Sequence, residues 1–141
     1  MSRRVLVTGS QGWQDAELVA RVLRALWILT EGGVLVSGGC PRGADALAER
    51  AWRALGGEVE RHRPEWGRYG NSAGFRRSEK MVQLGAGICV AFILPCDKPL
   101  CEGKPPDRGL EYHGTHGSVH CADYAEDHGI ATRRFAPILA A

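Results

Sequence analysis

No apolar run in this chain approaches the length that spans a bilayer, so no membrane segment is expected. The first apolar run, Val5-Leu6-Val7, is too short for the hydrophobic region of a signal peptide. Charge of one sign is also lacking. Eighteen Lys and Arg against 16 Asp and Glu leave a formal charge of +2. The positives are scattered apart from Arg3-Arg4, Arg76-Arg77 and Arg133-Arg134, so no basic stripe for nucleic acid is present. The five cysteines are an odd number without framework spacing. That suits reduced thiols and a cytoplasmic location better than disulfides. What remains, at 141 residues and 44% hydrophobic, is one ordinary globular domain.

The most informative stretch runs from Val34 to Asp45, V-L-V-S-G-G-C-P-R-G-A-D. Val34-Leu35-Val36 is a short buried strand, and Ser37, Gly38 and Gly39 turn out of it. Pro41-Arg42-Gly43 leads into a helix with apolar residues at Ala44, Leu47, Ala48, Ala51, Trp52 and Leu55, a helical spacing. Strand, glycine turn and helix start can seat a phosphate. Glycines let the backbone approach, and the first helical N–H groups face an anion. Arg42 would add a full charge. The Gly38-to-Gly43 spacing matches the start of a P-loop, but Ala44 and Asp45 replace the Lys and Ser/Thr that hold terminal phosphates and Mg²⁺. NTP hydrolysis is therefore not expected, and the G-x-G-x-x-G dinucleotide pattern is absent here.

The same alternation runs along the chain. A strand at Val5–Val7 ends in Thr8-Gly9-Ser10. A helix starts near Asp15 and stops at Gly32-Gly33. After the second helix, Glu58–His62 reads as a polar edge strand. Pro64–Gly70 is a loop, and a helix follows from about Ser72 to Leu84. Ile88–Leu94 is a strand buried on both faces. Residues 95–117 form a long loop that could serve as a lid. Ser118 caps a last helix, and Ile130–Phe135 is the last strand. Alternation of this kind implies an α/β, Rossmann-like three-layer sandwich. Its parallel sheet would have about five strands in the order 3-2-1-4-5. Ligands bind such sheets beyond the carboxyl ends of the strands. Four segments fall there: Thr8–Trp13, Ser37–Asp45, Arg63–Gly70 and Leu94–Ser118.

Five motifs lie in order over nearly the whole chain: V-T-G-S-Q-G-W from Val7, S-G-G-C-P-R-G-A-D from Ser37, P-E-W-G-R-Y-G from Pro64, R-R-S-E-K-M from Arg76, and H-G-S-V-H-C from His116. Together they resemble the Rossmann-like SLOG family, which joins DNA-processing protein A and the Lonely Guy phosphoribohydrolases, and in particular its YspA branch. The resemblance implies a nucleotide-derived ligand across the first, second and fourth strand ends, and a homodimer or higher homo-oligomer. Lonely Guy enzymes carry R-K-x-x-M and P-G-G-x-G-T-x-x-E. Aligning Met81 with the first motif places Arg77 on its functional arginine. In the second, Gly117-Ser118 fall on Gly-Thr, Gly114-Thr115 break the double glycine, and Cys121 takes the place of the glutamate. Ser78 stands where YspA-like relatives usually have Asn.

A missing glutamate matters because glycosidic cleavage needs a carboxylate to steady oxocarbenium charge or activate water. Asp45 could substitute, or could simply satisfy the N-terminus of its helix. The expected function is therefore a binding module for a nucleotide or nucleotide-derived molecule. Its phosphate would be held by Gly9, Ser10, Ser37, Gly38, Gly39, Arg42, Gly43, Arg77, Thr115, Gly117 and Ser118. The alternative is an N-glycosidase of nucleoside monophosphates using Arg77 and Asp45. Single-stranded DNA handling is disfavoured by the scattered charge. Trp66 and Tyr69 could stack on a base or pack the core edge. Cys96, Cys101, His113, His116, His120 and Cys121 lie close in sequence, but their spacing is not that of a standard finger. No metal is expected on that ground, and no cofactor is expected either.

Overall fold

A computed structural model describes residues 2–138. The chain runs β1 (Arg4–Gly9), α1 (Ala16–Leu29), β2 (Val34–Ser37), α2 (Ala44–Ala54), β3 (Glu58–Arg61), α3 (Trp66–Tyr69), α4 (Ala73–Gln83), β4 (Ile88–Phe92), α5 (His116–Asp127) and β5 (Ala131–Phe135). The five strands form one parallel sheet in the order β3-β2-β1-β4-β5. The expected fold class and strand order both hold.

Side-chain alternation sorts the core into two layers. Val5 and Val7 of β1, Leu35 of β2, and Val90 and Phe92 of β4 pack with Val19 and Leu23 of α1 and Ala48 and Trp52 of α2. Leu6, Val36 and Cys89 point the other way, onto Met81 and Val82 of α4 and Cys121 and Ala125 of α5. The buried Trp52 indole N–H donates to the Gly33 carbonyl at 3.1 Å, so the one polar atom of a large apolar side chain is satisfied.

Boundaries shift where local chemistry differs from pattern. Asp15 caps α1, its Oδ1 accepting from the Leu18 amide at 3.0 Å. The last helix begins two residues before Ser118, with Thr115 at its N-cap. The Pro64–Gly70 loop contains the short α3, whose Tyr69 ring is covered by Arg68 and Arg76 at 4.9 and 4.6 Å. The segment after β4 folds back on itself: Pro95 bridges Gly114, the Cys96 amide donates to the His113 carbonyl at 2.8 Å, and Thr115 donates to Leu94 at 3.1 Å. Arg108 ties it to Glu126 and Asp127 of α5 at 2.8 and 2.9 Å.

Candidate functional site

Because every strand is parallel, all strand-to-helix turns open at one edge. The order reverses between β1 and β4, and their ends flank the crevice where such sheets take ligands. Ser10 stands at that point. Its amide donates to the Phe92 carbonyl at 2.9 Å, and its Oγ accepts from the Leu94 amide at 2.8 Å. The Ser10 hydroxyl faces Thr115 Oγ1 at 2.6 Å, and Thr115 donates onward to Ser118 Oγ at 3.1 Å. Three hydroxyls thus clip β1, β4 and the start of α5 together, and the direction of donation leaves the Ser118 proton for a further acceptor. Thr115 makes no side-chain cap bond to α5. At Gly117 an added Cβ would meet nothing within 4 Å, so the backbone there is open.

The Ser37–Gly43 turn is more self-contained than its sequence suggests. Gly39 N–H donates to Ser37 Oγ at 3.1 Å, Cys40 N–H to Asp45 Oδ2 at 3.2 Å, and Ala44 N–H to the Ser10 carbonyl at 3.2 Å. Ser37 in turn donates to Glu49 at 2.7 Å. Gly43 has a φ of 75°, and a Cβ there would lie 2.5 Å from the Gln11 carbonyl oxygen. Its role is to let α2 start directly against the turn after β1. Gly9 serves the same approach, since its Cβ would lie 2.6 Å from the Phe92 carbonyl oxygen. Arg42 lies at the surface, donating to Gln11 at 3.1 Å.

Arg77 reaches from α4 to this turn. Its Nη1 donates to the Gly38 carbonyl at 2.7 Å and to the His62 carbonyl at 3.4 Å, while its buried Nε has no partner among the described residues. Asp45 lies beside it, 7% exposed. Burial pushes its pKa up to about 6, against the pull of the Cys40 amide and the Arg77 charge and with a push from Glu49. A carboxyl that changes charge near neutrality beside a half-buried cation suits proton transfer. Cys121, at the place of the glutamate, is fully buried. Its thiol neighbours Cys89, Thr8 and Ser78 and feels the Arg77 charge.

Sequence reasoning overlooked a second feature. On the other side of the glycine turn is an open cleft of about 410 Å³ lined by Arg50, Arg53, Arg61, Arg63, Glu49 and Cys40. Glu49 pairs with Arg61 and, at 3.2 Å, with Arg53. Arg50 and Arg53 sit three apart on α2, and Arg61 and Arg63 sit two apart at the end of β3. Each pair shares a face, and that periodicity was the available signal. Trp66 stands 60% exposed, and Arg76 contacts Ser72 at 3.2 Å on an exposed helix face. Cys96, Cys101, His113 and His116 converge, their ligand atoms all within 4.8 Å of one another. His120 turns away to Glu79 at 2.9 Å.

The fold and this edge define a Rossmann-like α/β protein with its polar groups gathered at the strand carboxyl ends. The chain belongs to the YspA and cpYpsA-related SLOG family, whose sequence profile matches residues 3–69. Gene 61 protein of Mycobacterium phage D29 is 42% identical over 97 residues, 65% of this chain and 78% of that protein. No solved structure matches. Family membership supports a nucleotide-related binding or processing role. None of the helices among the described residues is long and apolar enough to cross a membrane.

Proposed function

We propose that this chain binds a nucleotide or nucleotide-derived small molecule at the carboxyl edge of β1, β2 and β4. Its phosphate lies against the start of α5 at Gly117 and Ser118, and Arg77 supplies the positive charge. Gly9, Ser10 and Thr115 form the floor. Ser37 to Gly43 forms the wall, where Gly38 carries the arginine. The observation that carries the reading is Arg77. A guanidinium has five donors, and this one is brought to the strand ends with one buried N–H unpartnered and two carbonyls satisfied by a single nitrogen. The turn amides that bond internally leave the helix start and the arginine as the anion's main partners. Calorimetry with nucleoside monophosphates and ADP-ribose tests this. Binding that Arg77→Ala weakens at least about tenfold is expected, since a charged hydrogen bond contributes about 1.5–3 kcal/mol. Folded wild type that binds none of them refutes it. Loss of binding in Arg50→Ala with Arg77→Ala unaffected would move the site to the arginine cleft.

A second reading is favoured by Asp45. Its raised pKa beside Arg77 fits a general acid or base, so a nucleotide N-glycosidase remains the alternative. Release of free base from a nucleoside monophosphate, lost in both Asp45→Asn and Arg77→Ala, would establish it. A cytoplasmic homodimer is the assembly we infer. None of the five cysteines forms a disulfide, and Trp66 and Phe75 offer exposed apolar surface. Sedimentation at micromolar concentration decides the assembly.

A further inference from the structure

The geometry points to a zinc site formed by Cys96, Cys101, His113 and His116, stapling the segment between β4 and α5. Two thiols and two imidazoles are a ligand set that zinc takes in a closed tetrahedral structural site. The distances around His116 agree with one. Zinc–sulfur and zinc–nitrogen bonds of about 2.3 and 2.05 Å give tetrahedral S···N edges of about 3.5 Å and N···N edges of about 3.3 Å. Here His116 Nε2 lies 3.6 Å from Cys96 Sγ, 3.2 Å from Cys101 Sγ and 3.2 Å from His113 Nε2.

Hydrogen bonding alone does not account for this convergence. His113 Nδ1 is 3.0 Å from Asp107 Oδ2. That carboxylate holds the proton on Nδ1 and leaves Nε2 as a lone pair aimed into the cluster. Such a carboxylate–histidine pair is the usual support of a metal-bound imidazole. Asp107 is itself held, accepting from the Gly114 amide at 2.7 Å. His116 Nε2 then has one proton or one lone pair to offer, yet three partners surround it. A shared cation satisfies all four groups at once.

The ligands come from four places along the segment: just beyond β4, the 3₁₀ turn at Pro99–Cys101, the strand-like return at His113, and the first residue of α5. Sequence spacing conceals this, because C-x₄-C and H-x₂-H become neighbours only when Pro95 pairs with Gly114. The site would fix where α5 begins, and with it Thr115, Gly117 and Ser118.

The test is elemental analysis of untagged protein purified without chelator, followed by cobalt replacement. Stoichiometric zinc is expected, lost in Cys101→Ser and His116→Ala and kept in Cys40→Ser, whose thiol lies outside the cluster. Cobalt in the wild type should give the intense visible bands of a tetrahedral ion and a thiolate-to-cobalt charge-transfer band. If the cysteine variant does not fold, the wild-type cobalt spectrum still decides. Folded wild type that holds no zinc as isolated or after zinc is added under reducing conditions overturns the inference. So does a cobalt spectrum without thiolate charge transfer.

Discussion

Gly38→Ala is the most discriminating perturbation of the site. The Gly38 φ lies outside the left-handed region, so alanine meets no backbone strain there. Its Cβ would instead stand against Arg77 Nη1, 2.7 Å from Arg77 Cζ and 3.0 Å from Asp45 Oδ2. The guanidinium must swing away and surrender its 2.7 Å bond to the Gly38 carbonyl. A hydrogen bond to a charged group contributes about 1.5–3 kcal/mol. Replacing glycine by alanine returns about 0.4–1 kcal/mol by restricting the unfolded chain. The single substitution should therefore destabilise by about 1–2 kcal/mol, the difference of those two contributions. With Arg77→Ala already present the closest clash is gone and only the 3.0 Å approach to Asp45 Oδ2 remains, so Gly38→Ala should be neutral or stabilise by up to about 1 kcal/mol. Urea unfolding of the four proteins gives a coupling energy of about 1.5–3 kcal/mol on this account. Equal effects of Gly38→Ala in both backgrounds would refute the claim that Arg77 rests over this glycine.

Three further outcomes are expected. Asp45 has a native pKa of about 6 against an ordinary 3.8. The folded state therefore holds its proton more tightly, and its contribution to stability is greatest below pH 3.8 and is lost as pH rises to 6. Relative to wild type, Asp45→Asn should gain at most about 3 kcal/mol between pH 4 and 7. The difference curve cancels groups common to both proteins, and a flat one rejects the buried carboxyl. Gly9→Ala forces β1 apart from α2 and from the Phe92 carbonyl, so chemical denaturation should show a loss of about 2 kcal/mol or more; a neutral result contradicts that close approach. Arg134, 6% exposed, pairs with Asp123 at 2.8 Å and Glu126 at 3.3 Å. Water reaches both carboxylates, so Arg134→Met should destabilise by only about 1–2 kcal/mol, read from the urea midpoint.

The fold was legible because its determinants are local. Alternating Val5-Leu6-Val7 and the seven-residue run from Ile88 announce strands, and Asp15 and Gly32-Gly33 punctuate the first helix. Parallel topology then follows from the succession of elements. The site was less legible because its groups meet across the chain. Nothing near Arg77 in sequence says that its head lies over Gly38, 39 residues away. The amides of Gly39, Cys40 and Ala44 looked free, since the letters of the turn do not reveal that Ser37, Asp45 and Ser10 accept from them. The convergence of Cys96, Cys101, His113 and His116 was hidden by their spacing, because the loop brings them together only by doubling back.

The sheet's two rims answer to different demands. At the amino-terminal rim, Cβ atoms on Gly57 and Gly87 would lie 2.7 Å from the Trp27 ring and 2.6 Å from the Ser2 carbonyl oxygen, so backbone and core meet there with no slack. At the opposite rim Leu110 and Tyr112 anchor the segment after β4 on Ala91, Ile93 and Ala122, while Gly117 faces open space and residues 102–106 lie exposed at the surface. Insertions placed there would remodel what the crevice accepts while leaving the sandwich intact. One architecture could in this way be retuned from ligand to ligand without being refolded.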